Sequence, residues 1–283
     1  MDLTENPCLD NICREMDNDR TDTPTRSTQA EDYQDLPQAV AVMSKRFADG
    51  HRIAPHAHKR DQLLYAVSGV MRVSTSDNSW VVPPDRALLL PAGTQHSVEM
   101  RGQVQMRTLY ISATGAASAK VLLVTPLLRE LIAELARAPM DFSDDPRAER
   151  IAELICIEME AATALPLNIP LPSDPRLQRL CMTLMEDPSQ RASLEVLAHD
   201  IGASAKTLTR LCNRELGMRF GDWRQRVRFT VALEMLERGE TIKSAASHCG
   251  YSSPSAFSYA FRRVFGQTPT GFQTRKQGRT ADT

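Results

Sequence analysis

The chain has 283 residues, 42% of them hydrophobic, with 34 Lys+Arg against 35 Asp+Glu. That is enough apolar material for two ordinary domains and too much for a disordered chain, and no stretch approaches the ~20 apolar residues of a membrane span. The net charge of −1 hides a split: residues 1–172 hold 17 Lys+Arg against 24 Asp+Glu, and residues 173–283 hold 17 against 11, so a basic half suited to a polyanion follows an acidic one.

Residues 1–36 are polar and aperiodic, and are read as a mobile tail. They lack a basic region followed by an apolar run, so no secretory signal is expected and a cytoplasmic location is. The six cysteines, at 8, 13, 156, 181, 212 and 249, are too scattered for a framework and read as free thiols.

From 37 to 115 the chain turns to short apolar runs broken by Pro, Gly, Asp and Asn. QLLYAVS and VMRVST form a pair of strands around Gly69, and WVVPP, RALLLPAG and QMRTLYIS follow. Strands at this spacing predict a small antiparallel barrel or sandwich. From 116 to 164 the period is helical: Leu128, Leu131 and Leu135 share one face, and Ile151, Leu154, Ile155 and Met159 another. These helices are expected to pack on the barrel or to join two subunits, and the segment is read as the dimerisation segment. Residues 165–172, rich in proline, are read as an extended, stiff linker.

Residues 173–276 are helical, before a short tail at 277–283. Thr241–Pro269 predicts a helix, a turn at Gly250 and a second helix capped by Ser252 or Ser253, with Pro254 in its first turn. Phe257, Ala260, Phe261, Val264 and Phe265 draw its apolar face. Ala198–Gly217 repeats the pattern, with Gly202 in the place of Gly250, Leu208 of Phe257 and Leu216 of Phe265. The two outer faces carry Lys206, Thr207, Arg210, Asn213 and Arg214, and Ser255, Ser258, Tyr259, Arg262 and Arg263. A helical rod over Phe220–Arg238, about 28 Å long at 1.5 Å per residue, would hold the two units over adjacent major-groove segments about 34 Å apart.

In AASHCGYSSPSAFSYAFRRVFGQTPTGFQ, and more weakly over Ser173–Arg275, the chain resembles the DNA-binding domain of the AraC/XylS transcription regulators. The resemblance implies paired helix-turn-helix units, binding to double-stranded promoter DNA, contact with RNA polymerase and activation or repression of transcription. It makes Ala205–Arg214 and Pro254–Arg263 the reading helices. Lys206, Thr207, Arg210, Ser255, Ser258 and Arg262 would then meet bases, while Arg224, Arg226, Arg228, Arg263 and Lys243 hold phosphates or solvate the surface.

A second constellation lies in the barrel. Gly50-x5-His56-x-His58-x3-Gln62-x6-Gly69, and then Asp85-x5-Pro91-x-Gly93-x2-His96, resemble the two motifs of cupin barrels. This chain has Gln62 where the first motif has Glu, and Asp85 where the second has Gly. His56, His58 and His96 are candidate ligands for a divalent metal. With Gln62 and Tyr65 they are equally candidates for lining a metal-free pocket for a small-molecule effector, or for a purely structural role. Arg60, Arg72 and Trp80 are further candidates for the cavity wall.

The expected fold class is α+β: a cupin-like barrel, then helices, then an all-α domain of two helix-turn-helix units joined by a linker helix. The expected function is an effector-responsive, homodimeric regulator that is not an enzyme. The alternative is a metal-dependent cupin enzyme with an appended DNA-binding domain.

Overall fold

A computed structural model describes residues 26–84, 86–112, 114–165 and 168–273. Asp85, most of the N-terminal tail and the tail at 277–283 lie outside the described residues. Among the described residues nine strands form the N-terminal sheet: β1 (Val40–Phe47), β2 (Arg52–His56), β3 (Asp61–Ser74), β4 (Asn78–Val82), β5 (Arg86–Leu90), β6 (His96–Ile111), β7 (Lys120–Leu123), β8 (Ala164–Leu165) and β9 (Asn168–Pro170). The main path runs β1-β6-β3-β5-β7-β8. Off it, β2 pairs with β6, and β4 pairs with β3 and β9.

Two long strands, β3 and β6, are its spine. They pair antiparallel from Asp61↔Ile111 to Ser74↔Ser97, with register shifts between Ala66 and Val70. The two strands expected around Gly69 are therefore one strand, bent rather than broken there. Gly69 has φ +73°, and a Cβ would lie 2.6 Å from the Gln103 carbonyl oxygen, so glycine lets the bulge close against β6.

Side-chain alternation divides the sheet into two apolar layers. Ala41, Met43, Leu64, Leu88, Met106 and Tyr110 face the barrel interior. Val40, Val42, Leu63, Tyr65, Leu89 and Leu109 face the other way, onto Leu128, Ile132, Ile155 and Met159. These last belong to α1 (Pro126–Leu135) and α2 (Pro146–Ala161), whose first turns are capped by Thr125 and Asp145. Both helices thus pack back on the barrel. Their outward side leaves Leu127, Leu154 and Ile157 54%, 45% and 58% exposed.

Two expectations fail at the ends of this unit. Arg26, read as part of a mobile tail, donates to the carbonyls of Val42, Ala136 and Pro139, and Tyr33 is fully buried. Residues 26–36 are a strap on the barrel. Nor is the proline-rich linker free: β8 pairs with β7, and Asn78↔Pro170 to Trp80↔Asn168 adds β9 to β4. Proline allows this because both segments lie at the sheet's edge.

The remainder is helical: α3 (Pro175–Glu186), α4 (Leu194–Asp200), α5 (Ala205–Leu211) continued by one wider turn over Cys212–Leu216, α6 (Phe220–Glu237), α7 (Ile242–His248) and α8 (Pro254–Phe265). The α4–α5 and α7–α8 pairs share a design. Ser193, Ser204, Thr241 and Ser253 cap the four helices through their side-chain oxygens, and Gly202 and Gly250 turn in the left-handed region. The first half of α6 (Phe220, Trp223, Val227) lies in one core with α3, α4 and α5. Its second half (Phe229, Leu233, Leu236) lies in another with α7 and α8.

Candidate effector site and nucleic-acid interface

The end of β2, the connection after it and the start of β6 bring His56, His58 and His96 together, with His56 opposite His96 in register. Their ring centroids are 4.4 Å (His56–His96), 4.8 Å (His56–His58) and 5.7 Å (His58–His96) apart. The Gly93 N–H donates to the His58 carbonyl at 2.8 Å, tying the two motif segments together. Asp61 reinforces the tie by accepting from the backbone N–H of Ala92 and from Thr114.

The imidazoles are oriented as ligands. His56 Nδ1 lies 2.8 Å from the Ala54 carbonyl oxygen and His96 Nδ1 2.9 Å from that of Thr94. A carbonyl only accepts, so each Nδ1 carries the proton and each Nε2 lone pair is left for something else, the arrangement in which backbone groups orient metal-bound histidines. His58 Nε2 and His96 Nε2 are buried with no protein partner. Burial first, then the neighbouring histidines, pushes His58 down to about 4. Burial likewise pushes His96 down to about 4, against its hydrogen bond to Thr94, so both are neutral near pH 7.

One potential ligand atom from each histidine lies within 4.8 Å of the others. Nitrogens bound to one zinc ion at about 2.0–2.1 Å sit roughly 3.3 Å apart, so small side-chain rotations would close the set. The residues fit a divalent transition metal.

Beside His56 and His58 is a cavity of about 470 Å³, lined by Met43, Leu64, Val98 and Met106, by the polar Lys45, His51 and Arg52, and by Thr28–Glu31 of the strap. Gln62 reaches it, 4% exposed, hydrogen-bonded to Tyr110 and with its Oε1 unpartnered. Tyr110 was missed by sequence reasoning. It packs its ring on His58 at 5.0 Å, and the alternation of Met106, Thr108 and Tyr110 along QMRTLYIS was the signal that could have found it.

The other proposed wall residues sit elsewhere. Tyr65, three positions after Gln62, points to the opposite layer beneath the helices. Arg60 is spent on the carbonyls of Tyr33, Gln38 and Ala39 and on the Ser112 hydroxyl. Arg72 leaves the barrel altogether to pair with Glu234 at 2.6 Å. Trp80 packs in the interior core without reaching the cavity wall.

In the helical half, Lys206, Arg210, Asn213 and Arg214 are exposed on α5 and the turn after it, with Thr207 half-buried. Arg214 is paired with Glu215, which also accepts from the backbone N–H groups of Ser173 and Asp174 at the start of α3. On α8, Ser255, Tyr259, Arg262 and Arg263 are exposed and Ser258 is half-buried. Arg263 sits on the flank of that face, at a crevice that also touches Val81 of the barrel.

The arginines of α6 are a correction. Arg224 donates to the Ala192 carbonyl, Arg226 to Asn168, and Arg228 to the carbonyls of Pro188 and Gln190. All three are half-buried, so they do not merely solvate the surface. They bind loops and the linker to α6, and the Arg228 guanidinium fills the place where a Cβ on Gly250 would fall.

Residues 197–275 match the family model of a helix-turn-helix domain, and residues 44–112 that of a cupin domain. The chain is 29% identical over 223 residues to the HTH-type transcriptional regulator NimR of Escherichia coli, covering 78% of this chain and 82% of that protein. It is 24% identical over 230 residues to the probable transcriptional regulator LumQ of Photobacterium leiognathi, covering 77% of this chain and 91% of LumQ. Over 109 residues it is 34% identical to the HTH-type transcriptional regulator RipA of Corynebacterium glutamicum, covering 38% of this chain and 33% of RipA.

Proposed function

We propose that this chain, an AraC-type helix-turn-helix transcriptional regulator with an N-terminal cupin domain, grips promoter DNA with two reading helices under the control of a ligand in its barrel. The observation that carries the reading is the repeat: two capped helix pairs, each turning on a left-handed glycine, share one rigid helix and expose hydroxyl and basic side chains on their second helices. α6 has 18 residues, about 27 Å at 1.5 Å per residue, which suits units that enter successive major-groove segments.

In this reading residues 173–276 bind double-stranded DNA and meet RNA polymerase, and residues 37–115 are the sensor. Residues 116–164 join two copies through the exposed stripe of Leu127, Leu154 and Ile157. His56, His58 and His96 hold a divalent metal, which would supply a fixed positive charge beside the cavity. The buried, unpartnered Nε2 atoms support metal over a merely structural cluster, because an orphaned acceptor in an apolar wall is costly. The relatives, all named as transcription regulators, support a regulator over a metal-dependent enzyme.

The test is selection of bound fragments from the host genome, followed by transcription in vitro from the promoters retrieved. A few enriched promoters with altered output are expected. Dispersed, strongly salt-sensitive binding without enrichment would contradict the reading.

A further inference from the structure

We infer that Gln62 Oε1 is the fourth ligand of the histidine site, and that the cation it closes in, a divalent ion of the zinc class, is itself the signal this regulator reads. The inference rests on the reading that His56, His58 and His96 hold a divalent metal, and deepens it.

Three buried acceptors here have no hydrogen-bond partner among the described residues: His58 Nε2, His96 Nε2 and Gln62 Oε1. Gln62 is 4% exposed and lines the same cavity as His56 and His58. Its amide N–H is spent on the Tyr110 phenol oxygen, and the Tyr110 ring packs on His58 at 5.0 Å, so the amide is held beside the cluster with its oxygen unpaired. His56 turns its Nδ1 to the Ala54 carbonyl and so adds a fourth lone pair at Nε2. One water offers only two protons to four acceptors, and an anion brings more lone pairs still. A cation serves all four.

The donor set also says which cation and to what end. Imidazole nitrogens suit zinc and its neighbours, whereas Mg²⁺ and Ca²⁺ take oxygen ligands. Four protein ligands fill the tetrahedron that zinc prefers and leave no open position for a substrate, as a catalytic site would. All four donors are neutral, and among the described residues no Asp or Glu joins the three histidines. A carboxylate in the place of Gln62 would offset half of a 2+ charge and hold the ion harder. The amide therefore leaves a weaker site, one that fills and empties with supply. Its ligands come from β2, the connection after it, β3 and β6, so the ion ties three strands of the barrel together.

The experiment titrates the full-length protein with Zn²⁺, and with Co²⁺ followed by its visible absorption, for wild type, Gln62→Ala, Gln62→Glu and His96→Ala. Affinity for a promoter fragment selected by the protein is measured with Zn²⁺ and with a chelator. Co²⁺-loaded wild type should ignore added azide. Gln62→Ala should bind metal about ten-fold or more weakly, and its spectrum should change as azide takes the vacated position. Zn²⁺ should change promoter affinity about ten-fold or more, and at a lower Zn²⁺ concentration in Gln62→Glu than in wild type.

Azide altering the wild-type spectrum, or a folded Gln62→Ala holding metal as tightly as wild type, overturns Gln62 as a ligand while the metal reading stands. Promoter affinity that Zn²⁺ leaves unchanged, in protein that binds the ion, overturns the metal as signal. Wild type binding Zn²⁺ and Co²⁺ no better than His96→Ala removes the metal reading and this inference together. The azide and promoter comparisons need wild type alone, and hold whether or not the variants fold.

Discussion

Burial makes His58 and His96 reluctant to take a proton in the folded protein, and that has a consequence for stability. Both are held at about 4, whereas an unfolded histidine titrates near 6.5. Below pH 6.5 the unfolded chain therefore binds protons that the folded chain refuses. The stability these two groups contribute is whole above about 6.5 and is lost as pH falls toward 4. The melting temperature of metal-free protein should drop across that window, and a His58→Asn, His96→Asn double variant should drop less steeply; equal slopes would contradict the account. Arg228→Ala should cost about 1–3 kcal/mol in urea unfolding, because carbonyls of the Pro188–Gln190 loop lose their donor. The salt slope of DNA binding should not change, as it would if Arg228 neutralised a phosphate. The histidine cluster was legible residue by residue because its motif spacing is rigid. The arginines of α6 were misread because sequence shows a charge and not the carbonyls it serves, and Tyr65 because its parity relative to Gln62 was not applied.

The helices were legible as elements wherever one face is apolar. α8 shows this best: Phe257, Phe261 and Phe265 are buried, while Tyr259 is 68% exposed. α6 is harder, since it is buried by one core on its first half, another on its second, and the barrel besides; its apolar residues run all round and its rod-like role was inferred from length. The edge strands β8 and β9 and the bulge in β3 could not be read, because short proline-bearing edges carry no period of their own and their partners are distant in sequence. If α5 and α8 are the readers, Arg210→Ala and Arg262→Ala should each cost about 1–3 kcal/mol on the specific site and little on random DNA. Equal losses on both would make the residue a phosphate contact. Ile157→Asp on α2 should turn a dimer into a monomer in sedimentation without lowering the melting temperature much, since its side chain is 58% exposed; an unchanged oligomeric state would place subunit pairing elsewhere.

At the scale of the whole molecule, the acidic and basic halves seen in the sequence are joined more firmly than a linker implies. Val70 and Val81 of the barrel share a core with Phe229 and Leu233 of α6. Arg72 on β3 meets the nearly buried Glu234 on α6, and β9 lies between them in sequence, bonded to β4 on one side and receiving Trp223 Nε1 and Arg226 from α6 on the other. β3 thus carries Gln62 of the cavity near one end and Arg72 of this junction with α6 near the other. None of this was legible in the sequence, because an ion pair 162 residues apart leaves no local pattern. In the proposed function one chain reads two adjacent turns of DNA with α5 and α8. Its most direct test is a hydroxyl-radical footprint on a promoter fragment selected by the protein, with wild type, Arg210→Ala and Arg262→Ala. Two protected segments per subunit are expected about one helical turn apart, with each variant losing protection at a different one. A single protected segment, or the same segment lost in both variants, would contradict it.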